Sequence, residues 1–159
     1  MNVQLLQFRV GDHRFALRIE AVREVLRAVA LTEPIDRSRR IEGLLNLRGR
    51  TLPVVDLRGA VGLPEKPMAL TDALVVIDHQ DASWALRVDG GLTTIEAAAD
   101  AVQSCRHSPV MSESVQADGR VTFLLDLNKL RALVESSDPL RRDHAGAGHA
   151  EPAAAGVVE

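Results

Sequence analysis

Cysteine is nearly absent from this 159-residue chain: Cys105 is the only one. No intrachain disulfide can form, and a reducing cytoplasm is the expected compartment. Tyrosine is missing altogether, and the aromatic side chains are Phe8, Phe15, Trp84 and Phe123. The expected core is therefore aliphatic. Lysine is scarce too. Lys66 and Lys129 are the only two among 19 basic residues, so positive charge is carried by arginine, whose forked guanidinium suits carboxylates at interfaces. There is no basic excess: the formal net charge of -3 counts against a general nucleic-acid binder. Long apolar runs are also lacking. The longest, residues 73–77, is far too short to span a bilayer. Met1-Asn2-Val3-Gln4 shows neither a charged n-region nor an apolar h-region. Membrane association is expected only through a partner, without direct insertion.

The signatures of chemistry are missing as well. There is no Gly-x-Ser-x-Gly elbow and no phosphate-cradling glycine loop followed by lysine. The histidines are His13, His79, His107, His144 and His149, and none pairs with another at the three-to-four spacing of a helical metal site. Cys105-x-His107 is the only soft-ligand pair, too few to close a tetrahedral zinc site, and Cys105 is better read as a small loop or core residue. Asp56 and Asp126 each follow an apolar strand and precede leucine, a position suited to capping rather than to paired-carboxylate catalysis. No catalytic residue, cofactor site or metal site is expected, and the chain does not look like an enzyme.

What is present is short-period alternation. Leu6, Phe8 and Val10 share one face of a half-buried strand, and Gly11-Asp12 turns it into a returning strand with Phe15, Leu17 and Ile19. Val22, Val25 and Leu26 fit a short helical turn, with a strand as the alternative. Residues 34–40 are polar and turn-rich. Residues 44–47 and 52–55 flank Arg48-Gly49-Arg50 as a second hairpin, and Pro53, lacking an N–H, predicts an edge strand or a bulge. Residues 62–70 form a loop. Residues 73–77 are a buried strand. Trp84, Leu86 and Val88 alternate with Ala85 and Arg87, and Asp118-Gly119 turns into a strand with Val121, Phe123 and Leu125. Leu127, Leu130, Leu133 and Val134 then adopt helical period behind Asp126 as N-cap. Pattern is lost after Asp138-Pro139, and nine of the last fifteen residues are Ala or Gly, which predicts one domain over residues 1–137 and a disordered tail over 138–159.

Two pieces recur. Phe15-Ala16-Leu17-Arg18-Ile19 returns as Trp84-Ala85-Leu86-Arg87-Val88, and Pro53-Val54-Val55-Asp56-Leu57 as Phe123-Leu124-Leu125-Asp126-Leu127. The near-equal offsets favour two similar β units over chance. Each unit is a hairpin, a crossover and a strand ending in Asp-Leu, and short strands with tight turns in units of this size suggest small barrels. The seam between two barrels is a natural groove for a partner.

The segment Gly43-x-x-Asn46-Leu47-Arg48-Gly49-x-x-x-Pro53-Val54-x-Asp56-Leu57-Arg58 closely resembles the signature of the CheW-like domain family. Phe8-x-Val10-Gly11, Phe15-Ala16-Leu17, Val22-Arg23-Glu24-Val25-Leu26 and Leu125-Asp126-Leu127 extend the resemblance from about Gln4 to Val134. It implies a mainly β fold of two interlocked SH3-like five-stranded β-barrels with a short C-terminal helix. It also implies a non-enzymatic, cytoplasmic scaffold for chemotaxis signalling, working at membrane-associated arrays. Such a scaffold couples the tips of methyl-accepting chemoreceptors to the regulatory domain of the histidine kinase CheA. The alternative is a CheW-like adaptor in another chemosensory kinase pathway, for surface motility or gene regulation. By motif position Val22, Glu24 and Arg48 match receptor-binding residues, in a helix-in-groove mode. No kinase-binding residue is named, because the stretch after Val88 departs from the family pattern, which shows a clearer apolar strand there.

Overall fold

The computed structural model describes residues 1–27, 41–105 and 108–137. The polar stretch 34–40, His107 and the tail 138–159 lie outside the described residues. Eleven strands and one helix follow in chain order: β1 (Asn2–Val10), β2 (His13–Arg18), β3 (Val22–Arg27), β4 (Ile41–Leu47), β5 (Arg50–Asp56), β6 (Ala73–His79), β7 (Ala82–Val88), β8 (Gly90–Ala98), β9 (Gln103–Ser104), β10 (Met111–Ala117), β11 (Arg120–Leu125) and α1 (Leu127–Ser137).

The strands form two mixed sheets, which are the two SH3-like barrels. One has the order β8-β1-β2-β11-β10-β9 and is called here the terminal barrel; the other, β3-β6-β7-β5-β4, is the central barrel. The central barrel has the five strands expected. The terminal barrel has six, because one stretch of chain is interrupted by a 3₁₀ turn at Ala99–Ala101. That stretch supplies both edges, β8 and β9, so a single turn brings the edges together and closes the sheet.

The two sequence repeats do not each build a barrel. They exchange hairpins. In the terminal barrel β2 of the first unit pairs in parallel with β11 of the second, Ala16 opposite Leu124. In the central barrel β7 of the second unit pairs in parallel with β5 of the first, Ala85 opposite Val54. Ala16 and Ala85 are repeat equivalents, as are Val54 and Leu124, so the register is the same in both barrels. This exchange is what interlocks them.

The core lies where the barrels meet. Phe8 and Phe15 from one sheet face Val75, Ile77, Trp84 and Leu86 from the other, and Leu130, Leu133 and Val134 of α1 complete the cluster. The alternate residues fill the small barrel interiors: Leu5, Ala16, Val115 and Leu124 in the terminal barrel, and Leu45, Leu52, Val54, Leu74, Val76 and Ala85 in the central one. Period-two alternation thus buries both faces of β2 and β7, one between the barrels and one inside. All four aromatics, with Phe123 at the margin, gather between the barrels. The aliphatic core expected from composition is found only in the barrel interiors.

Two local expectations are corrected. Residues 22–27 are the alternative strand, not a helical turn, because pairing with β6 from Val22↔Ile77 to Arg27↔Ala73 supplies the backbone with partners that a single isolated turn would lack; the returning strand β2 ends at Arg18, short of Ile19, which starts a 3₁₀ turn at Ile19–Ala21. Pro53 is on neither an edge nor a bulge. It sits opposite Leu44 in β5, between β4 and β7. Counting from the hairpin turn, Leu44–Pro53 is a non-hydrogen-bonded pair, and the ladder to β7 begins one residue later, at Val54, so the missing N–H is not needed. The weakly apolar stretch after Val88 forms a strand, as the family pattern has there: β8 pairs with β1 from Asn2↔Ala98 to Arg9↔Gly90, and a fixed neighbour strand outweighs low propensity. Arg87, which alternates with Trp84, Leu86 and Val88, is itself only 2% exposed, because that face of β7 is the inside of a barrel.

Asp56 and Asp126 cap, as expected from their positions. Asp56 Oδ1 accepts the Arg58 N–H at 3.0 Å. Asp126 Oδ1 accepts the Asn128 and Lys129 N–H groups at 2.9 and 3.1 Å, satisfying donors that the first turn of α1 leaves open.

Candidate partner-binding site

The β4–β5 hairpin carries the most specific motif in the chain. Its two-residue turn has both central residues in the left-handed region, Arg48 at φ 51° and Gly49 at φ 83°. That is the type I′ geometry that matches the twist of paired strands and favours Asn, Asp and Gly. The repeat-equivalent turn uses Asp118 and Gly119, at φ 53° and 73°. Arginine at the first position is a poorer conformational choice, so its presence points to its side chain. Asn46 Oδ1 accepts the Gly49 N–H at 3.2 Å and steadies the turn.

The Arg48 guanidinium meets Glu24 through two parallel hydrogen bonds, Nη1 to Oε1 at 2.8 Å and Nη2 to Oε2 at 3.1 Å. This is the forked geometry of a bidentate pair. Glu24 lies on β3 and Arg48 at the tip of β4–β5, and β3 and β4 are the two edges of the central sheet. The pair therefore spans the gap between those edges. Arg48 is 68% exposed and Glu24 23%. The hydrogen bond from Arg48, helped by its charge and that of Arg23, holds the Glu24 carboxyl below the usual carboxylate range against the opposing effect of desolvation.

Val22 is half-buried and packs at the margin of the inter-barrel core. It lies across a register shift from Glu24, with Arg23 looped between them. On β3 the side chains of Val22, Glu24 and Leu26 are half-buried while Arg23, Val25 and Arg27 are exposed. Val25 is 42% exposed, so it stands on the outer face, not in a common stripe with Val22. The structure brings Glu24 and Arg48 into contact across the two edges of the sheet, and Val22 shares β3 with Glu24, two residues before it.

A second charged cluster was not legible in the sequence. Arg87 is buried against Glu42 at 3.2 Å, Asp56 at 3.3 Å and Asp72 at 3.7 Å, and its Nη2 donates to the Lys66 carbonyl at 2.7 Å. Burial pushes the Glu42 carboxyl up to about 7, with the Arg87 charge opposing and Asp56 and Asp72 adding to the rise. Next to it Arg58 pairs with Asp89, and Asp89 Oδ2 also accepts the Gly11 N–H at 2.7 Å, tying the β1–β2 turn of one barrel to the other. Burial alone would raise the Asp89 carboxyl, but the Arg58 hydrogen bond and the Gly11 amide outweigh it and hold it low. The only early sign of this cluster was the signature spacing Asp56-Leu57-Arg58 itself.

Cys105 is half-buried, and its N–H donates to the Ser112 carbonyl at 2.8 Å. Among the described residues no group of three His, Cys, Asp or Glu side chains is placed to hold a metal ion, and no helix is long and apolar enough to cross a membrane.

The family model of the CheW-like domain matches residues 4–135. The chain is 31% identical to the chemotaxis protein CheW of Rhizobium meliloti over 86 residues, 54% of this chain and 56% of that protein. It is 25% identical to the chemotaxis protein CheW of Thermotoga maritima over 132 residues, 80% of this chain and 86% of that one. The matched length is thus little more than half of the first relative and most of the second. In fold it is similar to the crystal structure of the scaffolding protein TtCheW from Thermoanaerobacter tengcongensis, with a TM-score of 0.73, 20% identity and coverage of 79% of this chain and 90% of that chain.

Proposed function

The chain belongs to the CheW-like domain family, and from that premise we propose that it is a non-enzymatic scaffold of chemotaxis signalling. It couples the cytoplasmic tips of methyl-accepting chemoreceptors to the regulatory domain of the histidine kinase CheA, in the cytoplasm at receptor arrays. Glu24 and Arg48 form the charged rim of the receptor site and Val22 its apolar contact. The observation that carries this reading is the forked pair between Glu24 of β3 and Arg48 of the family's own signature hairpin, with hydrogen bonds of 2.8 and 3.1 Å. A receptor tip is a helical hairpin, and a helix docking on a barrel seam needs an apolar contact flanked by oriented charges. A preformed pair offers both signs of charge at low ordering cost.

The test is a pair of titrations of the full chain and its Arg48→Ala variant, one against a receptor-tip fragment and one against the kinase regulatory domain. Receptor affinity should fall on the order of tenfold, with kinase affinity changed much less. Equal affinities of variant and wild type for the receptor tip would remove Arg48 from the site.

A further inference from the structure

Arg18 and Arg87 are the same position in the two repeats. Each follows a triplet whose middle residue, Ala16 or Ala85, points into a barrel, so each guanidinium stands at a barrel mouth. Each also lies near the aspartate at the C-terminal end of the neighbouring parallel strand. Asp56 is in register with Arg87, and Asp126 lines the same depression as Arg18.

The central mouth is filled by the chain itself. After Asp56 and Leu57 the chain folds back over the opening, where the Lys66 carbonyl accepts from Arg87 at 2.7 Å. The Asp72 carboxylate lies 3.7 Å from the same guanidinium and is 1% exposed. Asp72 is fixed in turn by accepting the Ala69 N–H at 2.8 Å. The covering segment thus offers two things to the arginine: a main-chain carbonyl and, six residues on, a carboxylate.

The terminal mouth has no such cover among the described residues. After Asp126 the chain enters α1 directly and packs on the inter-barrel core instead. Ser112 stands at the bulge position that Glu42 holds in the central barrel. Arg18 is left 43% exposed, with Glu113 as its carboxylate partner at 3.0 Å. Around it is an open depression of about 200 Å³ bounded by Ser112, Glu113, Leu125, Asp126 and Asn128. Compared with Arg87, its guanidinium lacks the carbonyl and the carboxylate of a covering segment.

We propose that the mouth of the terminal barrel docks an extended acidic segment of a partner protein, held by Arg18 as Arg87 holds residues 66–72. The partner presents a main-chain carbonyl and a following Asp or Glu, recognised by charge-assisted hydrogen bonds from the guanidinium. This surface lies on the other barrel from Glu24 and Arg48, and the proposal does not depend on their role.

The probe is a synthetic peptide of this chain's own residues 63–73, added to the ¹⁵N-labelled full chain. Saturable amide shifts are expected at Ser112, Glu113, Leu124, Leu125 and Asn128. Affinity should drop about fivefold or more with Arg18→Gln in the protein, and likewise with Asp72→Asn in the peptide. The peptide variant keeps the test informative even if the protein variant folds poorly. Shifts confined to Glu42, Asp56 and Lys66 would mean exchange with the resident segment and would overturn the proposal, as would binding indifferent to both substitutions. Binding seen only after truncation behind Ser137 would assign the mouth to the chain's own tail and defeat the partner reading.

Discussion

Glu24 on one edge strand and Arg48 at the opposite hairpin tip are joined by two parallel hydrogen bonds, so the central barrel is bridged across its edges by a side-chain fork. The pair is solvent-facing, and such pairs add little to stability. Arg48→Glu or Glu24→Arg alone should therefore lower the melting temperature by no more than about 3 °C. The combined charge swap, Glu24→Arg with Arg48→Glu, should restore the melting temperature and yet leave receptor-tip binding weak, because the rim charges are then reversed. Restored binding in the double variant would show that only the bridge matters, not the sign at each position.

Glu42 makes stability pH-dependent in an unusual direction. Its carboxyl is raised from 4.5 to about 7 in the fold, so its contribution is fully present below about 4.5 and is lost as pH rises through 7. Glu42→Gln mimics the protonated form. The variant should match wild type near pH 4.5 and exceed it at pH 8 by on the order of 2 kcal/mol, measured by urea denaturation at both pH values. Asp89 acts oppositely: its carboxyl is held low, so its stabilisation is present above about 3.9 and lost as pH falls further. An indistinguishable pair of pH profiles would mean that Glu42 is well solvated.

Equivalent arginines should differ sharply in cost. Arg87→Ala strips the guanidinium from three carboxylates around a side chain that is 1% exposed, and removing one partner of a buried ionic cluster costs roughly 3–5 kcal/mol. Arg18→Ala, at a 43% exposed side chain, should cost about 1 kcal/mol or less. Chemical denaturation of the two variants checks the contrast, and equal losses would contradict the difference in burial.

Hairpin exchange predicts that neither half of the chain folds alone. The hairpin β1–β2 has its barrel partners in the second half, and β6–β7 has its partners in the first. Fragments 1–65 and 66–159, produced together, should copurify as a 1:1 complex with the circular dichroism of the intact chain, while each fragment alone should be unfolded or aggregated. A folded monomeric half would show that the exchange is dispensable.

Much of this protein follows from local pattern alone. Strand alternation in Leu6-Gln7-Phe8-Arg9-Val10, the turn pairs Arg48-Gly49 and Asp118-Gly119, and the caps Asp56 and Asp126 are all short-range choices, made by side-chain period and by a backbone that turns only where φ can be positive. The signature around Arg48 was legible for the same reason: its residues are contiguous. The repeat was legible too, but not its partner choice, because the identical register of Ala16 with Leu124 and Ala85 with Val54 joins strands more than thirty residues apart. Only the tertiary structure decided which half completes which barrel. It also decided that Val22 to Arg27 extends rather than coils, since a strand's backbone bonds lie in another segment while a helix carries its own. Arg87 and Arg18 have nearly the same neighbours in sequence. One is buried among carboxylates and the other open to solvent, because burial is set by what the chain does after Asp56 and after Asp126: a loop folds over one mouth, and a helix leads away from the other.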